Sequence, residues 1–72
     1  MSRDEFFVQL QDILQTESSV SAQTVLSELE EWDSLAKMSI LAFMDTDFRV
    51  HLSFGDINAF KTAGDLAARA GL

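Results

Sequence analysis

The chain has 72 residues, 47% of them hydrophobic and 24% charged, with a formal net charge of −7 at pH 7. A chain of this size commits most of its apolar side chains to packing, so we expect one domain over residues 1–72 without a deep catalytic cleft. It has no cysteine and one histidine, His51. This composition excludes disulfides, thiolate zinc sites and multi-histidine metal sites, and we expect no metal-binding residue.

The negative charge argues against a nucleic-acid partner, because phosphate binding depends on clustered Lys and Arg and this chain has five such residues, scattered. A partner with a basic patch is compatible with the charge, and so is acidity that serves solubility alone. The N-terminus lacks the apolar core of a signal peptide, and no apolar run approaches the ~20 residues of a membrane span. We expect a cytoplasmic protein without a membrane partner.

The first helix is predicted from a capping box, in which the Ser2 hydroxyl accepts from the third helical N–H and Glu5 reaches back to the cap. The pattern indicates a helix that ends near Thr16. Apolar residues recur along it with helical spacing at Phe6, Leu10, Ile13 and Leu14.

Residues 17–33 combine a Ser/Thr-rich start with an acidic end and show no sustained apolar period. They are predicted to form a long loop that includes a short turn. Connections longer than about 12–15 residues are uncommon in compact domains and tend to be functional, which draws attention to the segment that follows.

The second helix is predicted over residues 34–48, with Asp33 as its N-cap. Its core-facing stripe is formed by Ile40, Leu41, Met44 and Phe48. The opposite face is small and mildly apolar where a solvated face is normally strongly charged, which suggests a docking surface; it holds Leu35, Met38, Ser39, Ala42, Thr46 and Arg49.

Two further helix starts are predicted by S-x-x-D and T-x-x-D caps at residues 53–56 and 62–65. The first opens a short helix through about Phe60, and the second a last helix with Gly71 past its end. Their predicted inward residues are Phe54, Ile57, Phe60, Leu66 and Ala70. The expected fold is all-α, a four-helix bundle with a long loop between helices one and two and a short third helix.

Ser34 lies in the first turn of helix two, where unpaired backbone N–H groups and the helix dipole favour an anion such as a phosphate ester. Asp33 and Ser34 are equally ordinary as helix-start residues, and spacing alone does not decide between these interpretations. A hydrolase with Ser34 as nucleophile and His51 as base is disfavoured, because a 15-residue helix of about 22 Å separates them and no glycine-rich turn supplies an oxyanion hole. We therefore expect no catalytic residue.

Two other features have structural alternatives. The run that begins with Asp45 and Asp47 starts like a calcium loop, but Arg49 and Val50 occupy positions that need a ligand and a glycine, so a helix-end charge cluster explains it better. Trp32 is expected to pack the long loop against helix two, with partner contact as the alternative.

Taken together, residues 29–48, LEEWDSLAKMSILAFMDTDF, resemble the acyl carrier protein family, with an acidic loop, an Asp-Ser-Leu motif and an amphipathic helix that ends in Phe. Residues 61–71, KTAGDLAARAG, are similar to the last helix of that family. The resemblance covers almost the whole chain and implies a bundle of the acyl-carrier type.

The resemblance implies that Ser34 carries a covalent 4'-phosphopantetheine arm from coenzyme A, whose thiol holds an acyl or aminoacyl cargo as a thioester. It implies that Asp33 helps to hold magnesium during attachment and that Leu35 contacts partner enzymes. The expected partners are a phosphopantetheinyl transferase, a loading ligase, and downstream synthases or transferases, and the carrier itself is expected to be monomeric and non-catalytic. The proposed partner surface consists of Leu35, Met38, Ser39 and Ala42.

The chain departs from the family pattern in two places. Many members have Leu-Gly-x-Asp-Ser-Leu, whereas here Leu29 is followed by Glu30, Glu31 and Trp32 before the aspartate. The acids that many fatty-acid carriers display on helix two are replaced by Ala36, Ser39 and Ala42, and Lys37 adds a positive charge. We expect a freestanding carrier for a specialised pathway rather than the usual fatty-acid enzymes. The alternative is a carrier-like helical interaction module that is never modified.

Overall fold

The computed structural model describes all 72 residues and contains four α-helices and no β-strand, which confirms the predicted all-α fold. Helix α1 packs against α2 and α4, and α2 packs against the short α3. None of these helices has both the length and the apolar character needed to cross a lipid bilayer. The elements are α1 (Arg3–Leu14), a 3₁₀ turn (Leu26–Glu28), α2 (Ser34–Phe48), α3 (Phe54–Asn58) and α4 (Ala63–Arg69).

The predicted helix starts are confirmed by their caps. At α1, the Ser2 Oγ accepts from the Glu5 N–H at 3.1 Å while a Glu5 carboxylate oxygen accepts from the Ser2 N–H at 3.2 Å. Reciprocal pairs of the same kind open α3 at residues 53–56 and α4 at residues 62–65. Backbone N–H donation lowers the pKa of the carboxyl group in each box, so these caps work with ionised side chains.

Helix α2 ends at Phe48 as predicted, whereas α1 and α3 each end two residues earlier than predicted. Helix α1 stops at Leu14 rather than near Thr16, because Gln15 turns into the left-handed region at φ 54° and its N–H donates to the Asp12 carbonyl at 3.1 Å. Arg49 closes α2 in the same way at φ 56°. Neither stop is a glycine, the residue that usually signals such a turn.

The core is formed by side chains from all four helices, and it includes Val20 and Leu26 from the long loop. One prediction was wrong: Phe54, expected to face inward, is 39% exposed, because it is the first residue of a five-residue helix and lies at its outer end. Phe7, which the helical spacing did not select, is buried. The largest fully buried side chains are Phe6, Leu10, Leu26, Ile40, Met44, Ile57 and Leu66.

The long loop is fixed to the start of α4 by backbone hydrogen bonds. The Leu26 N–H donates to the Lys61 carbonyl at 3.0 Å, and the Ala63 and Gly64 N–H groups donate to carbonyls of residues 24 and 22, each at 3.0 Å. These bonds, together with burial of Leu26, hold the chain that leads into α2.

Candidate functional site

Ser34 is the first residue of α2 and is exposed. Asp33 caps the helix, with its Oδ1 accepting from the Ala36 N–H at 2.8 Å. The N–H groups of Ser34 and Leu35 donate to no group within the protein and therefore face solvent. Two free donors at the positive end of a 15-residue helix make the Ser34 hydroxyl a favourable place for a phosphate ester.

An exposed face of α2 runs on from Ser34. Leu35 is 74% exposed and Met38 is 56% exposed, which is unusual for apolar residues of this size when they are neighbours. Ser39 and Ala42 are exposed on the same helix, and the Ser39 hydroxyl donates to the Leu35 carbonyl at 3.1 Å. The structure thus brings the four residues predicted to bind partners onto one solvent-facing surface, directly after the serine.

Trp32 ties the acidic loop to α2. Its side chain is half-buried and packs against the hydrophobic core. Its ring also lies under the Lys37 ammonium group, with the Nζ atom 5.6 Å from the ring centroid, a cation–π contact. The structural role expected for Trp32 is present. The contact with Lys37 was not predicted, because a five-residue separation matches neither the i,i+3 nor the i,i+4 pairs of a helix.

An open groove of about 410 Å³ lies beside the serine, between the end of α1 and the start of α2. Apolar and polar side chains contribute equally to its walls. It is lined by Ile13, Leu14, Gln15, Glu31, Asp33, Leu35, Ala36 and Ser39.

His51 lies beyond the opposite end of α2 from Ser34, so the two side chains do not form a nucleophile and base pair. Its Nδ1 is 2.9 Å from the Asp45 Oδ1, and both side chains are largely exposed. Asp45 is therefore placed beside the His51 imidazole near the end of α2. No group of three or more His, Asp or Glu side chains in the chain is placed to share a metal ion.

Comparison with known proteins yields one informative match. No family model and no curated protein matches the chain. A solved structure described as a putative acyl carrier protein, Rv0033 from Mycobacterium tuberculosis, aligns with a TM-score of 0.78 and 27% sequence identity, covering 97% of this chain and 96% of that one. The resemblance to the acyl carrier protein family that the sequence indicated is therefore confirmed, in the fold and over nearly the whole chain.

Proposed function

We propose that the protein carries an acyl or aminoacyl group as a thioester on a 4'-phosphopantetheine arm attached to Ser34. The observation that carries this proposal is the exposed Ser34 hydroxyl on the first turn of α2, within a fold that matches an acyl carrier protein. When bound, the arm would supply the thiol that holds the cargo. Partner enzymes supply the catalysis.

The residues around Ser34 fit a phosphodiester. The free N–H groups of Ser34 and Leu35 offer donors to its oxygens, and the helix dipole favours its negative charge. Asp33 uses Oδ1 for the helix cap, which leaves Oδ2 without a hydrogen bond inside the protein and available to a magnesium ion during attachment. The same carboxylate thus both starts the helix and assists the transferase.

We further propose that the partners belong to a specialised pathway. On the part of α2 that follows Ser34, the exposed face presents Ser39 and Ala42 rather than acids, and the acids nearest the serine lie in the loop before it. Surface charge mainly sets encounter rate and partner choice, so enzymes that select for an acidic α2 should accept this carrier poorly. Acceptance by fatty-acid synthase enzymes at the rate of their own carrier would contradict this assignment.

The experiment that tests the attachment is the intact mass after incubation with coenzyme A, magnesium and a broad-specificity phosphopantetheinyl transferase. We expect a gain of one phosphopantetheine in the parent protein and none in Ser34→Ala. Because Ser34 is exposed and Asp33 provides the cap, the alanine variant should unfold at the same temperature as the parent. A folded parent that gains no mass would favour the unmodified interaction module.

Replacing Met38 with glutamate should slow loading by the same transferase about tenfold, the effect of losing about 1.4 kcal/mol of interface energy. Met38 is 56% exposed, so the substitution should leave the unfolding temperature unchanged. Val8→Glu is the matched control, because Val8 is an apolar residue on α1 that is 65% exposed and lies off the proposed docking face. Equal slowing by both variants, or no slowing by Met38→Glu, would remove this face from the docking surface.

A further inference from the structure

Acidic residues outnumber basic residues in the sequence around Ser34. Four carboxylates precede the serine within six residues, and between Arg3 and Arg49 the chain has a single basic residue, Lys37. A phosphodiester on Ser34 would thus be placed at the edge of an acidic segment, where like charges repel it. Lys37 is the basic residue nearest to it in sequence. The four carboxylates belong to Glu28, Glu30, Glu31 and Asp33.

Helix geometry makes Lys37 a neighbour of Ser34. Residues three apart on a helix are neighbours, with Cβ atoms about 5–6 Å apart, so Lys37 lies one turn above Ser34. Helical side chains lean toward the N-terminus, which directs a long side chain back over the preceding turn. In the structure the Lys37 Nζ lies 5.6 Å from the ring centroid of Trp32, a residue of the segment that leads into Ser34. The ammonium group is therefore held against a side chain of that segment.

The contact with Trp32 is weaker than the one a phosphate would offer. A cation over an aromatic ring at a partly exposed site is a modest interaction, whereas an ammonium group and a phosphate oxygen form a charge-assisted hydrogen bond. Moving from one to the other requires only rotation about side-chain bonds of Lys37. In the acidic surroundings of Ser34, the phosphate is the better partner.

We propose that Lys37 is a positioning residue that leaves the face of Trp32 and pairs with the phosphodiester on Ser34. The pairing directs the first bonds of the arm toward Lys37 and away from the groove that contains Glu31 and Asp33. This inference rests on the proposed attachment at Ser34. It assigns a function to the added positive charge on α2.

The chain is well suited to a direct test, because it has two lysines, Lys37 and Lys61, and one tryptophan. Protein labelled with ¹³C in lysine and ¹⁵N in the tryptophan indole is compared by NMR before and after loading with the arm. We expect the Lys37 Cε–Hε signal and the Trp32 indole N–H signal to shift, while the Lys61 signal stays in place. Lys61 lies at the start of α4 and serves as the internal control.

Two variants of Lys37 test the pairing through the ³¹P signal of the phosphodiester. Lys37→Met keeps a long unbranched side chain with similar helix propensity but removes the charge, and Lys37→Arg keeps a cation. In loaded protein at low salt, we expect the ³¹P signal of the phosphodiester to shift in Lys37→Met and to return toward the parent position in Lys37→Arg. High salt should reduce the difference between parent and Lys37→Met, because an exposed ion pair is screened.

The outcomes separate this inference from the proposed attachment. Mass spectrometry is done first, and a parent that gains no mass overturns both. A normal mass gain with an unmoved Lys37 signal, or with the same ³¹P signal in parent and Lys37→Met, overturns the pairing alone. If Lys37→Met does not fold, the NMR comparison of labelled parent protein before and after loading still tests the pairing.

Discussion

Replacing Phe6 with alanine is expected to lower the free energy of unfolding by about 3–5 kcal/mol. Phe6 is fully buried, and its ring packs against three other phenylalanines, with centroids at 5.6–5.9 Å. Two of these rings belong to α2, so Phe6 joins the helix that carries Ser34 to α1. The free energy of unfolding of a small domain is about 5–15 kcal/mol, so this loss should leave the variant close to unfolded at room temperature. The three rings are those of Phe7, Phe43 and Phe48.

Urea unfolding followed by circular dichroism measures this effect. Phe6→Leu keeps most of the apolar volume, so its free energy of unfolding should fall by less. This variant can still be compared with the parent if Phe6→Ala does not fold. Val8→Ala is the control on the same helix, and as Val8 is 65% exposed its change should stay within about 0.5 kcal/mol. A loss below about 1 kcal/mol for Phe6→Ala would show that the aromatic cluster is not what holds α1 and α2 together.

The same glycine-to-alanine change is expected to have opposite effects at two equivalent helix positions. Gly55 and Gly64 are each the second residue of a helix that opens with a capping box. A Cβ at Gly64 would lie 2.7 Å from the Ala22 carbonyl oxygen and 3.2 Å from the Ala22 Cβ. That carbonyl accepts the Gly64 N–H, so it cannot retreat without losing the bond. At Gly55 the nearest atom is the Ser53 Oγ at 3.6 Å, an ordinary contact.

Gly64→Ala should therefore lower the free energy of unfolding by about 1–3 kcal/mol, as overpacking does. Gly55→Ala should raise it by about 0.4–1 kcal/mol, because alanine restricts the unfolded chain. Thermal unfolding of the two variants and the parent under one set of conditions measures both signs. Stabilisation by Gly64→Ala would mean that the loop at Ala22 yields easily and does not anchor α4.

The helix starts could be predicted from sequence because their causes are local. Each start depends on a serine, threonine or aspartate whose oxygen meets an N–H three residues later, and all four of these bonds are present. The end of α1 was less predictable, since Gln15 takes a left-handed conformation without a glycine to signal it. Arg49 does the same, but the apolar pattern of α2 still placed that helix end at Phe48. Phe54 shows the limit of apolar spacing, because a one-turn helix has too few residues to define an inward face.

What the sequence did not predict depends on contacts between distant residues. Leu26 is fully buried although it belongs to a loop without apolar periodicity, and its N–H donates to the backbone carbonyl of Lys61, just before α4 in the chain. The candidate site likewise has features that the sequence predicted and one that it did not. Asp33, Ser34 and the exposed face with Leu35 follow from position on one helix, whereas the placement of the Lys37 ammonium over Trp32 required the path of the loop.

That path has a consequence for the order in which the protein forms. Residues 22–26 bond to residues 61–64, so the segment that leads into Ser34 acquires its final course only after the C-terminal part of the chain is available. Pairings between distant residues form slowly, because the intervening chain must lose its freedom first. In a growing chain on the ribosome, the loop that leads into Ser34 would stay unanchored until residues 61–64 emerge. Synthesis of residues 61–64 thus becomes a condition for ordering the loop before Ser34 ahead of a modifying enzyme.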